Sequence, residues 1–162
     1  MLSVIIPNWN GVNHLPTCLN SLNNQTIHDF EVIVVDNASM DGSRELIESE
    51  YPMVRVLGLT SNTGFTGACN AGIRIALGNT IALLNNDTEA ADNWLEEIVS
   101  AFERHQDAGI VASRLMLFDR RDLFHAAGDL FRSDGISANR GVWQKDVGQY
   151  SEGYVFSACG GA

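Results

Sequence analysis

Residues 30–37 read Phe30-Glu31-Val32-Ile33-Val34-Val35-Asp36-Asn37, in which four consecutive β-branched residues are followed by an acid and an amide. An apolar run of this length without polar alternation predicts a strand that is buried on both faces. Such strands belong to parallel sheets with helices on either side, and the acid that follows would lie at the carboxyl edge of the sheet. This stretch predicts both the fold class and the position of a site.

The chain on either side alternates strand-like and helix-like segments. Short β-branched runs predict strands at residues 2–7, 30–35, 54–59 and 80–84. The segments between them space their apolar residues at i, i+3 and i+4, which predicts amphipathic helices. The fold class expected is α/β, with a mostly parallel central sheet and helices on both faces.

Several local features are expected within this pattern. Ser39 is a candidate N-cap for the second helix, and Asp92 or Asn93 for the fourth. The periodicity of the fourth helix predicts four buried residues, Leu95, Ile98, Val99 and Phe102. Further along, strands are expected at residues 108–118, 123–131 and 153–157, with a loop over residues 133–149.

Composition excludes several classes of function. The chain has 162 residues and a net charge of −10, so it fits one domain and lacks the basic face of a nucleic-acid binder. Its apolar runs are far shorter than the ~20 residues of a membrane span, and no signal peptide is visible. Three cysteines without zinc-type spacing favour reduced thiols in the cytoplasm.

A polar segment follows each of the four predicted strands. The four segments are Pro7-Asn8-Trp9-Asn10-Gly11, Asp36-Asn37, Ser61-Asn62-Thr63-Gly64-Phe65 and Asn85-Asn86-Asp87-Thr88. Each alone is also typical of an ordinary turn. Because the carboxyl ends of parallel strands meet at one edge, the four together predict a ligand site there. The glycine fingerprint of dinucleotide-binding proteins is missing after the first strand, and no P-loop motif is present.

Four ordered motifs resemble glycosyltransferase family 2, and within it the rhamnosyltransferase-like bacterial branch. The resemblance is strong over residues 2–90 and weaker over 91–162. The motifs are Ser3-Val4-Ile5-Ile6-Pro7-Asn8-Trp9-Asn10, then Val34-Val35-Asp36-Asn37-Ala38-Ser39-x-Asp41-Gly42-Ser43, then Asn62-x-Gly64-Phe65-x-x-x-x-Asn70-x-Gly72, and finally Leu84-Asn85-Asn86-Asp87-Thr88.

The resemblance implies a GT-A fold and a sugar transfer from a nucleoside diphosphate with inversion. Asp36 matches the acid that contacts the base, and Asp87 matches the last acid of the D-x-D motif, which binds Mg²⁺ or Mn²⁺. The remaining nucleotide-binding positions implied by the resemblance are Pro7, Asn8, Asn62, Gly64, Asn70, Asn85 and Asn86.

This sequence departs from the D-x-D motif at its first position, where it has Asn85. An amide does not supply the charge of a carboxylate, so ribose or metal contacts from that side are in question. Magnesium keeps several waters when bound, so one carboxylate together with phosphate oxygens can still hold it.

The resemblance also implies the organisation of the domain and its partners. Residues 1–90 would form the nucleotide-sugar-binding half and residues 91–162 the start of the acceptor-side half of a single domain, incomplete at its C-terminus. The partners would be a nucleoside-diphosphate sugar and a glycan or lipid-linked acceptor in bacterial polysaccharide or cell-surface glycan synthesis. The expected location is the cytoplasm, peripheral to the inner face of the plasma membrane.

The catalytic base is expected beyond Ala162, because the chain ends on Ser157-Ala158-Cys159-Gly160-Gly161-Ala162, which resembles the strand end that precedes this acid in the family. On this expectation the 162-residue chain binds donor but transfers sugar negligibly. Two other functions stay open. One is a non-catalytic nucleotide-sugar-binding module, and the other, less favoured, is a nucleotidyltransferase, which would need a basic glycine-rich loop after the first strand.

Overall fold

Eight strands and four helices follow one another in the computed structural model, which describes residues 1–151 and 153–158. The chain divides into two compact units, Met1–Ser100 and Ala101–Ala162. In the first, the elements are β1 Leu2–Asn8, α1 Leu15–Asn23, β2 Phe30–Asp36, α2 Ser43–Glu50, β3 Arg55–Gly58, α3 Gly64–Ile75, β4 Thr80–Leu83 and α4 Trp94–Arg104, the last of which runs into the second unit. The second unit continues with β5 Leu115–Met116, β6 Phe124–Ala126, β7 Asp129–Phe131 and β8 Ser137–Asn139.

The first unit is built on a four-stranded sheet in which every pair of neighbours is parallel. The strands lie in the order β3-β2-β1-β4. β1 and β2 pair along their whole length, from Leu2 opposite Phe30 to Asn8 opposite Asp36. The predicted α/β class with a mostly parallel central sheet is confirmed.

The strand order decides which helix covers which face. Parallel crossovers are almost always right-handed. The chain moves one way from β1 through β2 to β3 and then returns past β1 to β4. The crossovers α1 and α2 therefore fall on one face and α3 on the other. On the α3 face, Ala68 packs with Ile5, Ile33 and Val35 in a fully buried cluster.

The opposite face of the sheet is equally closed to solvent. Strand residues alternate between the two faces, so Val4, Ile6 and Val34 point away from α3. All three are 0% exposed. The apolar side of α1, predicted from its periodicity, is buried as well, at Leu15, Cys18, Leu19 and Leu22.

The third helix comes unusually close to the sheet at Gly72. A side-chain carbon built at this position would lie 2.5 Å from Cγ2 of Ile5 and 2.9 Å from Cγ2 of Val35. Carbon atoms in contact prefer separations of about 3.5–4.0 Å. The helix can pack at this depth only because residue 72 has no side chain.

A carboxylate at the amino edge of the sheet holds the end of α3 to β1 and β2. Glu31 accepts hydrogen bonds from the Ser3 hydroxyl at 2.6 Å and from the Leu77 N–H at 2.6 Å, and it pairs with Arg55. Burial alone would raise the pKa of the Glu31 carboxyl. The three hydrogen bonds and the charge of Arg55 outweigh burial and hold the pKa below its usual value.

We expect Glu31→Gln to lower the free energy of unfolding by about 1–2 kcal/mol at pH 7, because hydrogen bonds to a charged acceptor are lost. A depressed pKa stabilises the fold above the unfolded value, about 4.3, and this contribution disappears as pH falls through the folded value. Urea unfolding from pH 7 down to about pH 2.5 measures the difference across this range, with Glu50→Gln on the exposed side of α2 as the control. A difference from wild type that stays constant with pH would contradict this assignment.

The second helix begins later than expected. It starts at Ser43 with Gly42 in the N-cap position at φ 87°, so the prediction of Ser39 as the cap is wrong. The Ser39 hydroxyl instead accepts hydrogen bonds from Asn8 Nδ2 at 3.2 Å and from the Asn10 N–H at 2.9 Å. The Ser39 side chain therefore joins the loops at the carboxyl edge of the sheet and does not cap the helix.

The fourth helix buries less than its periodicity predicts. Asn93 directly precedes α4, and Leu95 is fully buried as expected. Ile98 and Phe102 are only half-buried and Val99 is 36% exposed, so their prediction as buried residues is wrong. Periodicity identifies the apolar side of a helix but not how much of that side is covered.

The second unit consists of two antiparallel pairs, β5 with β6 and β7 with β8. The predicted strand over residues 108–118 is wrong except at Leu115–Met116, since these two residues alone of the segment have a strand partner in the described structure. The predicted strand over residues 123–131 is divided by Gly128, whose φ of 82° turns the chain between β6 and β7. The predicted loop over residues 133–149 contains β8.

Residues 153–157 form no regular strand in the described part of the chain. Two backbone hydrogen bonds nevertheless join this segment to Asp129. The Phe156 N–H donates to the Asp129 carbonyl at 3.0 Å, and the Asp129 N–H donates to the Ser157 carbonyl at 3.0 Å. Residues 159–162 of the expected strand end, and the catalytic base expected beyond Ala162, lie outside the described residues. None of the helices described is both long and apolar enough to cross a bilayer.

Candidate functional site

The chain changes its direction across the sheet between β1 and β4. From β1 it builds outward through β2 and β3, whereas β4 pairs with the other side of β1. In open parallel sheets, ligands bind outside the carboxyl ends of the strands at such a reversal. The polar segments that follow β1 and β4, residues 8–11 and 85–88, meet at this point and centre the candidate site there.

A row of three hydrogen-bonded side chains crosses the ends of β2, β1 and β4. Asn8 Nδ2 donates to Asp36 Oδ1 at 3.2 Å, and Asn8 Oδ1 accepts from Asn86 Nδ2 at 2.7 Å. Asn8 is 1% exposed and Asp36 is 4% exposed. This amide row, Asp36–Asn8–Asn86, fixes the acid after β2 relative to the turn after β4, through the central strand.

Gly11 leaves the space that the amide row needs. A side-chain carbon built at Gly11 would overlap with Asn86 Nδ2 and Asn8 Oδ1. Because these two atoms hydrogen-bond to each other, any side chain at position 11 would have to separate them. The glycine after the first strand thus has a structural role in the site beyond forming a turn.

The loops after β1 and β2 are tied together by reciprocal hydrogen bonds. The Asn10 N–H donates to the Ser39 hydroxyl, and Asn10 Oδ1 accepts from the Met40 N–H at 2.9 Å. Asn10 has φ 52° and Ala38 has φ 63°, values that are uncommon outside glycine. Backbone of this kind persists where surrounding contacts hold it, and here those contacts lie at the candidate site.

Asp41 strengthens the same connection. Its Oδ2 accepts from the Val12 N–H at 2.9 Å, and its Oδ1 accepts from the N–H and hydroxyl of Ser43. Burial alone would raise the pKa of Asp41, but the hydrogen bonds from Ser43 and Val12 hold that pKa below its usual range. The Asp41 carboxylate therefore stabilises the connection between the two loops through these hydrogen bonds.

Asp36 keeps the capacity to bind a further donor. Its Oδ1 accepts from Asn8, and its Oδ2 accepts from the Ser39 N–H at 3.2 Å. A carboxylate offers about four acceptor positions, two on each oxygen. The two internal hydrogen bonds orient the carboxylate and leave acceptor positions for the N–H of a ligand.

A second amide cluster joins the ends of β2 and β3. Asn37 Oδ1 accepts from the Thr63 N–H at 2.8 Å, while Asn37 Nδ2 donates to Asn62 Oδ1 at 3.0 Å and to the Gly64 carbonyl at 3.2 Å. Asn62 Oδ1 also accepts from the Gly64 N–H at 2.8 Å, and Gly64 has φ 76°. Two of the implied nucleotide-binding residues, Asn62 and Gly64, are thus held to the end of β2.

The turn after β4 presents Asp87 to solvent. The Asn85 carbonyl accepts from the Thr88 N–H at 3.2 Å and its hydroxyl at 2.6 Å, which closes the turn. Asp87 is exposed at its tip. The Cys18 thiol lies 3.6 Å from the Asn85 carbonyl, and burial, followed by the charge of Asp87, raises its pKa to about 12. Cys18 is therefore a neutral packing residue beneath the turn.

The residues around Asp87 fit a divalent cation only if the ligand supplies most of the coordination. Among the described residues, no three histidine, cysteine, aspartate or glutamate side chains converge to hold a metal ion. Magnesium is commonly bound by one or two carboxylates together with phosphate oxygens and waters. The site suits a cation that arrives with a diphosphate.

Two of the predicted site residues stand apart from these networks. Pro7 lies within β1, opposite Val35, and contributes backbone. Asn70 is exposed in the second turn of α3, not at its start, and no hydrogen bond within the described structure joins it to the amide clusters.

Sequence reasoning missed four residues that build the site, Asn10, Gly11, Asn37 and Ser39, as parts of its framework. Asn10, Gly11 and Asn37 occur in the polar segments that follow the strands, and Ser39 comes two residues after Asn37, which is the signal that could have found them. That signal identifies the segment but cannot distinguish a residue that supports the site from one that contacts the ligand.

Residues 3–153 match the family model described as Glycosyl transferase family 2. The amylovoran biosynthesis glycosyltransferase AmsB of Erwinia amylovora is 34% identical over 112 residues, which cover 66% of this chain and 37% of the relative. The chain spans about a third of the length of this and other curated relatives that it matches.

Solved structures share the fold. S. aureus TarS 1-349 in complex with UDP matches with a TM-score of 0.60 at 23% identity, covering 74% of this chain and 43% of that one. The mannosyltransferase PcManGT from Pyrobaculum calidifontis, in complex with GDP-Man and Mn²⁺, matches with a TM-score of 0.55 at 22% identity, covering 72% and 35%. The likeness confirms the GT-A fold that the sequence motifs implied.

Proposed function

This chain belongs to glycosyl transferase family 2, and from that premise we propose that its first unit binds the nucleoside-diphosphate sugar of an inverting, metal-dependent transfer to an acceptor hydroxyl. The observation that carries the proposal is the amide row Asp36–Asn8–Asn86. It joins a buried, oriented carboxylate to the turn that presents Asp87, at the edge of the sheet where ligands bind.

In this proposal, Asp36 accepts an N–H of the nucleotide base. The carboxylate is held by Asn8 and Ser39, so little side-chain entropy is lost when the base binds. The segment around Asn62 and Gly64 borders the donor on the β3 side, with Asn70 further along α3. Trp9 is 58% exposed at the same edge and offers an aromatic surface beside the nucleotide.

Asp87 supplies the protein ligand for Mg²⁺ or Mn²⁺. A divalent cation stabilises the negative charge that develops on a diphosphate leaving group. Asn86 positions the turn through its hydrogen bond to Asn8, and the amide of Asn85 stands where the D-x-D motif has an acid. The metal ligation proposed here therefore relies on one carboxylate of this chain.

The acceptor side of the reaction is also part of the proposal. We expect a glycan or lipid-linked hydroxyl as the acceptor, as the resemblance to polysaccharide-forming transferases implies. Inversion needs a group that takes the proton of this hydroxyl as the sugar carbon is attacked. The cytoplasmic location and the identities of the sugar and the acceptor stay predictions.

We expect UDP, dTDP or GDP to raise the melting temperature in the presence of Mn²⁺ and much less in EDTA. At a ligand concentration 100 times the dissociation constant the gain is about 2.7 kcal/mol, or roughly 5–10 °C for a protein of this size. A thermal-shift panel of nucleoside diphosphates with Mn²⁺, Mg²⁺ or EDTA makes the measurement, and metal alone is the control. Equal shifts in metal and in EDTA would refute bridging by the metal, and no shift with any nucleotide would refute donor binding.

A further inference from the structure

Arg44, in the first turn of α2, is held beside the carboxyl end of β3. Its Nε donates to Glu48 Oε1 at 2.7 Å, one helical turn further on. A side-chain carbon built at Gly58 would lie 2.9 Å from Arg44 Nη1 and 3.6 Å from Cζ. The guanidinium thus lies over the backbone of Gly58, in space that a side chain at that position would fill.

Gly58 is the strand partner of Asp36 in the pairing of β2 with β3. The Leu59 N–H also donates to the Asp36 carbonyl at 2.8 Å. Gly58, beneath the guanidinium of Arg44, and Asp36 therefore lie on adjacent strands, whose backbones are about 4.8 Å apart. The two opposite charges are neighbours at the carboxyl edge of the sheet.

Arg44 and Asp36 nevertheless form no ion pair in the described structure. Asp36 is held by Asn8 and the Ser39 N–H, and Arg44 is held by Glu48. The Nη groups of Arg44 have no hydrogen-bond partner among the described residues, and the side chain is 56% exposed. The Asp36 carboxylate and the Arg44 guanidinium are thus both held in place and lie side by side, and each still has positions for a hydrogen bond to a ligand.

We infer that Arg44 is a specificity-determining residue that donates to a carbonyl oxygen of the nucleotide base whose adjacent ring N–H is accepted by Asp36. The inference rests on the proposed function of the site. Uracil, thymine and guanine each carry a ring N–H next to an exocyclic carbonyl, whereas adenine and cytosine do not. Arginine suits this role because its donors lie in a rigid planar fork.

Strand spacing argues against the phosphates as the ligand of Arg44. The turn that presents Asp87 follows β4, and β4 is three strand spacings from β3, roughly 14 Å. Arg44 is thus at the end of the site opposite to the diphosphate. Because Arg44 lies next to Asp36, the proposed acceptor for the base, its ligand in this proposal is the base.

The test uses wild type, Arg44→Ala and Arg44→Lys, with calorimetric titration of UDP, dTDP, GDP, ADP, CDP and pyrophosphate in Mn²⁺. We expect Arg44→Ala to lower the affinity for the nucleotide that wild type prefers by roughly tenfold or more, since a charge-assisted hydrogen bond is lost. Affinity for pyrophosphate with Mn²⁺ should stay within twofold. Arg44→Lys should recover part of the loss, because lysine supplies a donor without the planar fork.

Two control variants separate the base contact from other effects. Glu48→Ala removes the same ion pair within α2 but keeps the guanidinium, so it should weaken the nucleotide less than Arg44→Ala does. Arg74→Ala removes an exposed arginine from the last turn of α3, at the amino edge of the sheet. It should change the affinity for neither the nucleotide nor pyrophosphate.

Equal losses for nucleotide and pyrophosphate in Arg44→Ala, or no loss at all, would overturn the inference while leaving the proposed function intact. A wild-type preference for ADP or CDP over all three nucleotides would also overturn it. If wild type binds no nucleoside diphosphate, the proposed function fails and this inference fails with it.

Discussion

Asp36→Ala should weaken nucleoside-diphosphate binding by roughly ten- to a hundredfold, and by the same factor in Mn²⁺ and in EDTA. The loss arises because the oriented carboxylate, held by Asn8 and Ser39, is the acceptor proposed for the base. The metal is proposed to bind at a different strand end, after β4, so its presence should not alter the effect. Isothermal titration calorimetry under both conditions measures it.

The control for Asp36 lies just before the same strand. Asp29 directly precedes β2 at the opposite edge of the sheet and its side chain is 85% exposed, so Asp29→Ala should bind nucleotide like wild type. Because Asp36 is buried, the melting temperature of each variant must be recorded, and Asp36→Asn provides a near-isosteric second variant. Unchanged affinity in folded Asp36→Ala and Asp36→Asn would reduce Asp36 to a framework residue.

Asp87→Ala should abolish the metal-dependent part of nucleotide stabilisation, which is most of the total of about 2.7 kcal/mol at a ligand concentration 100 times the dissociation constant. Stability without ligand should change little, since Asp87 is exposed and the turn is closed by Asn85 and Thr88. The weak stabilisation measured in EDTA should persist, because Asp36 and the base contacts are unaffected.

Thermal shifts of Asp87→Ala with and without Mn²⁺ decide the point. Asp107→Ala is the matched control, since Asp107 is an exposed aspartate of the second unit and should leave the metal-dependent shift intact. If Asp87→Ala retained the full shift with Mn²⁺, the cation would have to bind elsewhere and the assignment of Asp87 would be wrong.

The parallel sheet could be predicted from sequence because one physical cause dominates there. Residues 33–35 and 4–6 are apolar without interruption, and only a strand covered on both faces buries them completely. The same reasoning located the carboxyl edge and hence the segments that meet there. It could not reveal which amide pairs with which, because the row through Asn8 depends on the register of three strands.

The errors have a common origin in competition between local and long-range contacts. Ser39 has the chemistry of a helix cap, yet its hydroxyl bonds to Asn8 and Asn10, which are distant in sequence. Residues 108–118 have strand-like composition, but a strand also needs a partner, and only Leu115–Met116 finds one in the described chain. Local propensity is a weak guide wherever such contacts decide.

The two asparagines of the amide row also make the spacing between the ends of β2 and β4 independent of pH. Asparagine side chains have no titratable proton between pH 5 and 8, so Asn8 and Asn86 keep the same donors and acceptors throughout that range. A carboxylate in place of Asn8 would stand 3.2 Å from Asp36, the distance now spanned by the hydrogen bond, and one of the two acids would then take up a proton. Because the bridge is neutral, the spacing between the ends of β2 and β4 is insulated from pH.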